Sequence, residues 1–285
     1  MQQKWYRARS LLRGKLIVHC DSLSVVLDDT GRDDIFSTQS PIRRRIERLI
    51  FALGLRLPSH PHSATRKVLK ALGYGVWLND LSQPIKVVPD RYCAWEHVSV
   101  SFSQRFIDSV VVVELGVAHG YSTRKLLAIF GHKSRLRIEA FDSFRGLPEA
   151  WNGYPAGTFS RSGNPPDLID DRVRFHVGLV EESINDESVE AIFVGSHARF
   201  VLFDLDLLSP SVWCARHIAP HLRHGDFVYF DELLDHAEQT AKAVLDLGLI
   251  DRDLRLMLVC ATSLSALFEV RNNSTVPQRV PISED

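Results

Sequence analysis

The stretch VVVELGVAHGYST, residues 111–123, decides the fold of this chain. An apolar run rich in β-branched residues ends in an acid, Glu114, and then passes through two glycines, Gly116 and Gly120, into a predicted helix over Ser122–Phe130. Glycine is needed where the backbone turns sharply and must approach a ligand without a Cβ in the way. The pattern therefore predicts a strand, a turn and a helix, with a nucleotide bound beyond the carboxyl end of the strand.

From residue 110 onward, apolar runs of strand-forming residues alternate with helical stretches, which is typical of a parallel α/β sheet. The predicted strands are Val110–Leu115, Leu136–Phe141, Val173–Val177, Phe200–Phe203, Phe227–Phe230, Leu254–Cys260 and Leu264–Val270. Residues 261–263 alone join the last two strands, which is too short for a helical crossover, so we expect that pair to be antiparallel. Alternating units closed by such a hairpin differ from a plain dinucleotide-binding domain.

The glycine spacing indicates the kind of nucleotide. A nicotinamide fold would show G-x-G-x-x-G to hold a pyrophosphate at the helix N-terminus, but here Ala118 replaces the second glycine. That spacing suits a ligand with no pyrophosphate, such as S-adenosylmethionine. Asp142 ends the next strand, where a carboxylate can accept the hydrogens of both ribose hydroxyls. The alternative is that Asp142 is an ordinary turn residue.

In these residues and in the runs given below, the chain resembles the macrocin O-methyltransferase family, bacterial class I enzymes that methylate sugar hydroxyls of natural products. The similarity covers about residues 105–270 and rests on five runs: ELGV with the glycine at 120, FDSFRGLPE at 141–149, DRVRF with the glycine at 178, FDLDL at 203–207, and GDFVYFDE at 225–232. The glycine loop also resembles that of catechol-type, cation-dependent O-methyltransferases, which share the same core.

This resemblance implies an α/β fold: a Rossmann-like, seven-stranded methyltransferase sheet that is mostly parallel, with an antiparallel last hairpin. We expect it to occupy residues 96–285, after a mixed, partly helical N-terminal extension over residues 1–95. The implied cofactor is S-adenosyl-L-methionine. The residues expected to bind it are Glu114, Gly116, Val117, Ala118, His119, Gly120, Ser122, Asp142 and Ser143.

Acidic residues follow the fourth and fifth predicted strands: Asp204 and Asp206 after one, Asp231 and Glu232 after the other. Adjacent parallel strands would bring them together at the sheet edge that receives the cofactor. Carboxylate oxygens suit Mg²⁺, and an ion there could bind a substrate hydroxyl and lower its pKa. The resemblance implies that Asp204, Asp231 and Glu232 hold magnesium. The alternative is that the acids bind substrate hydroxyls directly, with no ion.

A hydroxyl nucleophile needs a base or a metal to remove its proton. The candidate catalytic residues are Asp204 and His236, the best-placed histidine by sequence, for which a capping or surface role is the alternative. Residues 151–160 form a long, glycine-rich, aromatic segment that we interpret as a substrate-facing lid, with a disordered connector as the alternative. Trp151 and Tyr154 could stack on a sugar or aromatic ring.

The N-terminal region carries weaker signals. We predict short strands over Lys15–His19 and Leu23–Leu27, and an amphipathic, arginine-rich helix that begins at Ser40-Pro41. That helix would pack on the core or on a second subunit, which allows a homo-oligomer formed through this extension. The alternative is that it lies on a membrane surface or binds a partner. A further helix is predicted over Ala64–Leu72, ending at Gly73, with irregular chain over residues 76–95.

Composition limits the function classes. The net charge is −1, so no global field draws the chain to nucleic acid. The 4 cysteines are scattered without a C-x-x-C pair, which fits a reducing cytoplasm, and no apolar run approaches the roughly 20 residues that span a bilayer. The sequence thus predicts a cytoplasmic O-methyltransferase acting on a hydroxyl of a small molecule, or of a sugar in a natural product or glycan. The alternatives are a nicotinamide-dependent oxidoreductase and a non-catalytic methyltransferase-like scaffold.

Overall fold

The structure, a computed structural model, describes residues 16–20, 23–27, 64–81, 84–231, 233 and 236–273. In the first sixty residues it describes one antiparallel hairpin, made of β1 (Leu16–Cys20) and β2 (Leu23–Leu27). The two short strands predicted there are confirmed, the first one residue later than expected. The arginine-rich helix predicted after Ser40-Pro41 lies outside the described residues.

The remaining elements belong to a compact unit that spans His60–Asp285. In chain order they are α1 (Ala64–Leu81), α2 (Arg91–Gln104), β3 (Ser109–Leu115), α3 (Tyr121–Phe130), β4 (Arg135–Asp142), β5 (Val173–Val177), α4 (Val180–Ser183), α5 (Asp186–Phe193), β6 (Ala198–Phe203), α6 (Leu208–Ile218), a 3-10 turn (Ala219–His221), β7 (Phe227–Phe230), α7 (His236–Ile250), β8 (Leu254–Ala261) and β9 (Ala266–Asn272). Among the helices that the structure describes, none is long and apolar enough to cross a membrane.

The seven strands of this unit form one sheet in the order β5-β4-β3-β6-β7-β9-β8. The pairs from β5 to β7 are parallel, whereas β9 runs antiparallel to both β7 and β8. The predicted fold class, a mostly parallel seven-stranded sheet closed by an antiparallel hairpin, is confirmed. Chain order reverses at β3, and the crevice beyond the carboxyl ends of the strands on either side of such a point is where open α/β sheets bind ligands.

Strand β3 lies in the middle of the core, and all of its residues are buried. Val111, Val113 and Leu115 pack into the cluster on one face of the sheet, while Val110 and Val112 pack into the cluster on the other. A strand buried on both faces has no polar side to show, which explains its continuous apolar run.

Helix α1 is longer than predicted. It continues through Gly73 and Gly75 to Leu81, so the expected end at Gly73 is wrong. A Cβ at either glycine would contact nothing within 4 Å, and Tyr74 and Leu78 are buried in the core. Burial of those two side chains outweighs the cost of about 1 kcal/mol for glycine inside a helix.

Residues 76–95 are only partly irregular, because α1 ends at Leu81 and α2 starts at Arg91, while residues 84–90 between them belong to no helix or strand. The side chain of Asp90 caps α2 by accepting from the backbone N–H of Cys93 at 3.0 Å. The helix therefore runs through position 95/96, and no break in secondary structure marks the expected division of the chain there. At the other end of the unit, Leu264 lies in the turn before β9, not in the strand as predicted.

Candidate functional site

A cavity of about 750 Å³ opens at the carboxyl ends of β3, β4, β6 and β7. This volume is typical of a pocket for a cofactor or a small molecule. Its walls come from the loops that follow these four strands and β5, from the start of α4, and from Arg91 at the start of α2. The crevice predicted from the glycine stretch is therefore present.

Gly116 adopts a positive φ of 92° directly after β3. A Cβ on this residue would lie 1.8 Å from the carbonyl oxygen of Asp204, which no side chain tolerates. Glycine is thus required here because the ends of β3 and β6 approach each other, a reason different from the expected approach to a ligand. The consequence is that the glycine loop and the acidic end of β6 share one wall of the cavity.

Asp142 clamps the glycine loop. Its Oδ2 atom accepts hydrogen bonds from the backbone N–H groups of Val117 and Ala118, both at 2.8 Å, and its Oδ1 atom accepts from the N–H of Phe144 at 2.6 Å. A carboxylate offers about four lone-pair positions, so one remains for a ligand hydroxyl. Asp142 lines the cavity together with the loop it holds, and its contact with ribose stays a prediction.

The predicted cofactor residues divide into two groups. Those that line the cavity are Gly116, Val117, Ala118, Asp142 and Ser143; those outside its lining are Glu114, His119, Gly120 and Ser122. His119 is exposed, with its ring 6.2 Å from that of Tyr121. Gly120 precedes α3 with a φ of 74°, and a Cβ there would lie 2.6 Å from the ring of Pro166. The residues of this second group belong to the loop and its flanking elements but do not face the cavity.

Glu114 is a buried acid beneath the loop, with only 1% of its surface exposed. Its Oε2 atom accepts from the hydroxyl of Thr123 at 2.7 Å, while Oε1 has no hydrogen-bond partner among the described residues. Burial raises the pKa of Glu114 to about 7, although the hydroxyls of Ser122 and Thr123 act in the opposite direction. The sequence alone did not separate this buried acid from the acids that line the cavity.

Asp204 and Asp231 lie side by side, as predicted, because β6 and β7 pair in parallel with Phe203 opposite Phe230. Both acids line the cavity. Of the other predicted residues, Glu232 lies outside the described residues, and His236 begins α7 with a side chain that the structure does not describe.

A positive group that was not predicted stands between these acids. Arg91 places one terminal nitrogen 3.0 Å from Oδ2 of Asp204 and the other 3.3 Å from Oδ2 of Asp231. The hydroxyl of Tyr229 lies 3.1 Å from Oδ1 of Asp231. The sequence carries a signal for the helix, since Asp90 is a good N-cap and apolar residues follow at helical spacing, but it carries none for the pairing of Arg91 with acids more than a hundred residues away.

This arrangement bears on the predicted magnesium site. Within the described ranges, no group of three or more His, Cys, Asp or Glu residues is placed to hold a metal ion. Arg91 is bound to one oxygen of Asp204 and one of Asp231, so the described residues do not fit a resident divalent cation. A magnesium site that includes Glu232 stays a prediction.

Two acids of the cavity, Asp204 and Asp206, hold protons more tightly than usual. Burial and then the charge of Asp231 raise the pKa of Asp204 well above its ordinary value, against the opposing effect of Arg91. Burial and the charge of Asp231 also raise the pKa of Asp206 to about 6. Asp206 has a positive φ of 60°, a backbone conformation that costs free energy at a non-glycine residue. Carboxylates in this state are suited to accept a proton near neutral pH.

The aromatic segment at 151–160 is a short structured turn, not a disordered connector. Trp151 and Tyr154 exchange backbone hydrogen bonds of 2.9 and 2.7 Å across Asn152-Gly153, both with positive φ, as in a type I′ turn. The two rings stack with their centroids 6.2 Å apart, and Phe159 lies 5.5 Å from Tyr154. All three rings line the cavity, so the segment provides its aromatic wall. Closure as a lid stays a prediction.

No family model matches the chain, and no curated protein matches it in sequence. Among solved structures, it is similar to the O-methyltransferase NovP, with 16% identity and a TM-score of 0.47 over 64% of this chain and 79% of that one. It is also similar to the calicheamicin methyltransferase CalS11, with 19% identity and a TM-score of 0.47 over 85% of this chain and 99% of that one. A third similar structure is MycE, a methyltransferase of the mycinamycin pathway in complex with Mg and SAH. Its identity is 15% and its TM-score 0.38, over 68% of this chain and 53% of that one. The fold assignment rests on the strand order, not on these likenesses.

Proposed function

We propose that the chain is an S-adenosylmethionine-dependent O-methyltransferase that acts on a hydroxyl of a small molecule, or of a sugar in a natural product or glycan. The observation that supports this proposal is the juxtaposition in one cavity of the Asp142-clamped loop and the Asp204–Asp231 pair. A nucleoside at the first and a hydroxylated acceptor at the second would meet inside a single pocket.

The loop favours a nucleoside without phosphate groups. In a dinucleotide-binding fold, backbone N–H groups at this turn are free to bind a pyrophosphate. Here the N–H groups of Val117 and Ala118 already donate to the carboxylate of Asp142, and that carboxylate would repel an anion at the same place. The nicotinamide-dependent alternative is therefore disfavoured by geometry as well as by the missing G-x-G-x-x-G.

S-adenosylmethionine would supply a methyl group on a positively charged sulfur. The protein has to position the acceptor hydroxyl and take its proton, since positioning contributes most to a displacement of this kind. Asp204 lines the cavity with a raised pKa, so its carboxylate is the proposed proton acceptor. The positive group that the described residues place beside it is Arg91. His236 as a base, and Mg²⁺ held with Glu232, stay predictions.

The first experiment is a calorimetric titration of the full chain with S-adenosylhomocysteine and, separately, with NADH. We expect the first to bind and the second not to bind. Asp142→Ala removes a ligand acceptor and the clamp on the loop, so the affinity for S-adenosylhomocysteine should fall tenfold or more, about 1.5–3 kcal/mol.

Asp108→Asn is the matched control, because Asp108 precedes β3 at the opposite edge of the sheet, where it contacts Ser134, and should leave the affinity unchanged. Binding of NADH alone, or equal affinities for the Asp142 variant and the wild type, would contradict the proposal. Tight binding of S-adenosylhomocysteine with no methyl transfer to a broad panel of hydroxylated acceptors would instead favour the non-catalytic scaffold.

A further inference from the structure

The position of Arg91 is fixed by packing on the strand that carries one of its acids. Because Asp90 caps α2, Arg91 is the first residue of the helix. Residues four apart lie on the same face of a helix, so Arg91 shares a face with Trp95. Trp95 is fully buried and packs edge-on against Tyr229, with ring centroids 5.8 Å apart, and Tyr229 lies two residues before Asp231. The contact between Trp95 and Tyr229 in the core therefore places the guanidinium of Arg91 beside the acids.

One guanidinium serves two carboxylates. Each terminal nitrogen of Arg91 faces a different acid, at 3.0 Å for Asp204 and 3.3 Å for Asp231. The planar fork of arginine suits two such contacts at once, which a lysine could not reproduce in the same geometry. A divalent ion at these acids would have to displace the guanidinium from both contacts.

Arg91 also has donors to spare. A guanidinium carries five N–H groups, more than its two contacts with the acids require. Its side chain is 37% exposed and lines the cavity, on the same wall as Asp204. The remaining N–H groups are therefore available to an oxygen atom of a bound molecule. An anionic acceptor is disfavoured, because carboxylates outnumber positive groups at this end of the cavity.

We propose that Arg91 is the resident cation of the acceptor site, where it holds Asp204 and Asp231 together in place of a divalent metal ion and donates to oxygens of a neutral, hydroxylated acceptor. This inference rests on the proposed function for the identity of the acceptor, but not for the role of Arg91 between the acids. Arg91 transfers no proton: the acceptor oxygen would form its bond to the methyl carbon as the bond from that carbon to the sulfonium sulfur breaks and leaves a thioether, the O–H proton would pass to Asp204, and Arg91 would keep that carboxylate in place.

The test is a titration of the full chain with Mg²⁺ and with Mn²⁺ by calorimetry. We expect the wild type to bind either ion more weakly than about 1 mM. In Arg91→Ala the two acids lose their counter-charge, so divalent ions should bind tenfold or more tightly than in the wild type and raise the unfolding temperature. Arg91→Lys keeps the charge but not the two-pronged contact, so it should bind divalent ions about as weakly as the wild type.

Arg105→Ala is the matched control. Arg105 follows the same helix at its other end, has the same 37% side-chain exposure, and also pairs with a buried acid, Glu269. It lies outside the cavity lining, and its loss should create no cation site there. A gain of cation binding in Arg91→Ala but not in Arg105→Ala would assign the effect to the position, not to the lost charge.

Two results would overturn the inference: micromolar binding of Mg²⁺ by the wild type, or a folded Arg91→Ala variant that binds cations no more tightly than the wild type. If Arg91→Ala does not fold, the titrations of the wild type and of Arg91→Lys still test the inference, because micromolar binding of a divalent cation by either protein contradicts it. None of these titrations uses a nucleoside, so failure to bind S-adenosylhomocysteine would refute the proposed function separately. Once an acceptor is found, turnover should persist in excess chelator, and Arg91→Ala should raise KM for the acceptor more than it changes the affinity for S-adenosylhomocysteine.

Discussion

The cavity contains two carboxylate sites that are neutralised in different ways. Asp142 is satisfied by backbone N–H groups of the loop after the preceding strand, 24 and 25 residues away in sequence. The positive group that the described residues place beside Asp204 and Asp231 is one side chain, Arg91, which is 113 residues away from the first of them, and the hydroxyl of Tyr229 also contacts Asp231. A substitution other than proline leaves the backbone donors in place, whereas replacing Arg91 removes the guanidinium. The first site is therefore a fixed part of the fold, and the second can be altered without touching the loop.

The largest expected effect separates these two sites. Asp204→Asn keeps the shape of the side chain but removes the proposed proton acceptor, so kcat should fall about 10²–10⁴-fold. Because Asp142 and the loop are untouched, the affinity for S-adenosylhomocysteine should stay within about threefold. Initial rates with an identified acceptor and calorimetry with S-adenosylhomocysteine measure the two quantities.

Asp108→Asn, at the opposite edge of the sheet, again serves as the control and should alter neither quantity. If Asp204→Asn weakened the nucleoside as much as it slowed turnover, the two carboxylate sites would act as one, and the contrast between them would be lost.

The next effect concerns the acid beneath the loop. Glu114 has a folded-state pKa of about 7, above its ordinary value of 4.5. The folded state therefore holds the proton more tightly, so this contribution to stability is complete below pH 4.5 and is lost as the pH rises through 7. Glu114→Gln removes the titration but keeps an acceptor for Thr123. Relative to the wild type, it should gain about 2–3 kcal/mol in the free energy of unfolding between pH 4.5 and pH 8.

Urea unfolding of both proteins at the two pH values measures this gain. The change in the free energy of unfolding between the two pH values is compared between variant and wild type, so the contributions of other titrating groups cancel. A gap between the two proteins that does not change with pH would show that Glu114 stays ionised when folded, and that the buried acid is neutralised by something other than a proton.

The sequence predicted the part of the site that depends on neighbouring segments. Strands β3 and β6 were recognisable because they are buried along their whole length and consist mostly of apolar residues. The proximity of Asp204 and Asp231 could be predicted, because each residue directly follows a strand and these two consecutive strands pair in parallel. The antiparallel hairpin followed from the length of its turn.

The rest depended on packing between distant segments. Gly73 indicated the end of a helix, but the burial of Tyr74 and Leu78 carries α1 past it. Nothing local marks Arg91 as part of the site, because its partners enter the chain more than a hundred residues later. One reason for Gly116 could not be read from the sequence, since the atom that excludes a Cβ belongs to Asp204, just after another strand.

The smallest expected effect concerns the aromatic turn, which forms a third wall of the cavity. It tests whether this turn binds the acceptor or belongs with the nucleoside side of the cavity. The ring of Tyr154 is held between Trp151 and Phe159, and an aromatic contact with a ligand ring contributes about 0.5–1.5 kcal/mol. Tyr154→Ala should therefore raise KM for the acceptor about threefold to tenfold, with kcat and the affinity for S-adenosylhomocysteine nearly unchanged. Tyr154→Phe keeps the ring and should stay close to the wild type. If Tyr154→Ala instead weakened the nucleoside and left KM for the acceptor unchanged, the turn would belong to the Asp142 side of the cavity, and the acceptor would have to be held by the Arg91 side alone.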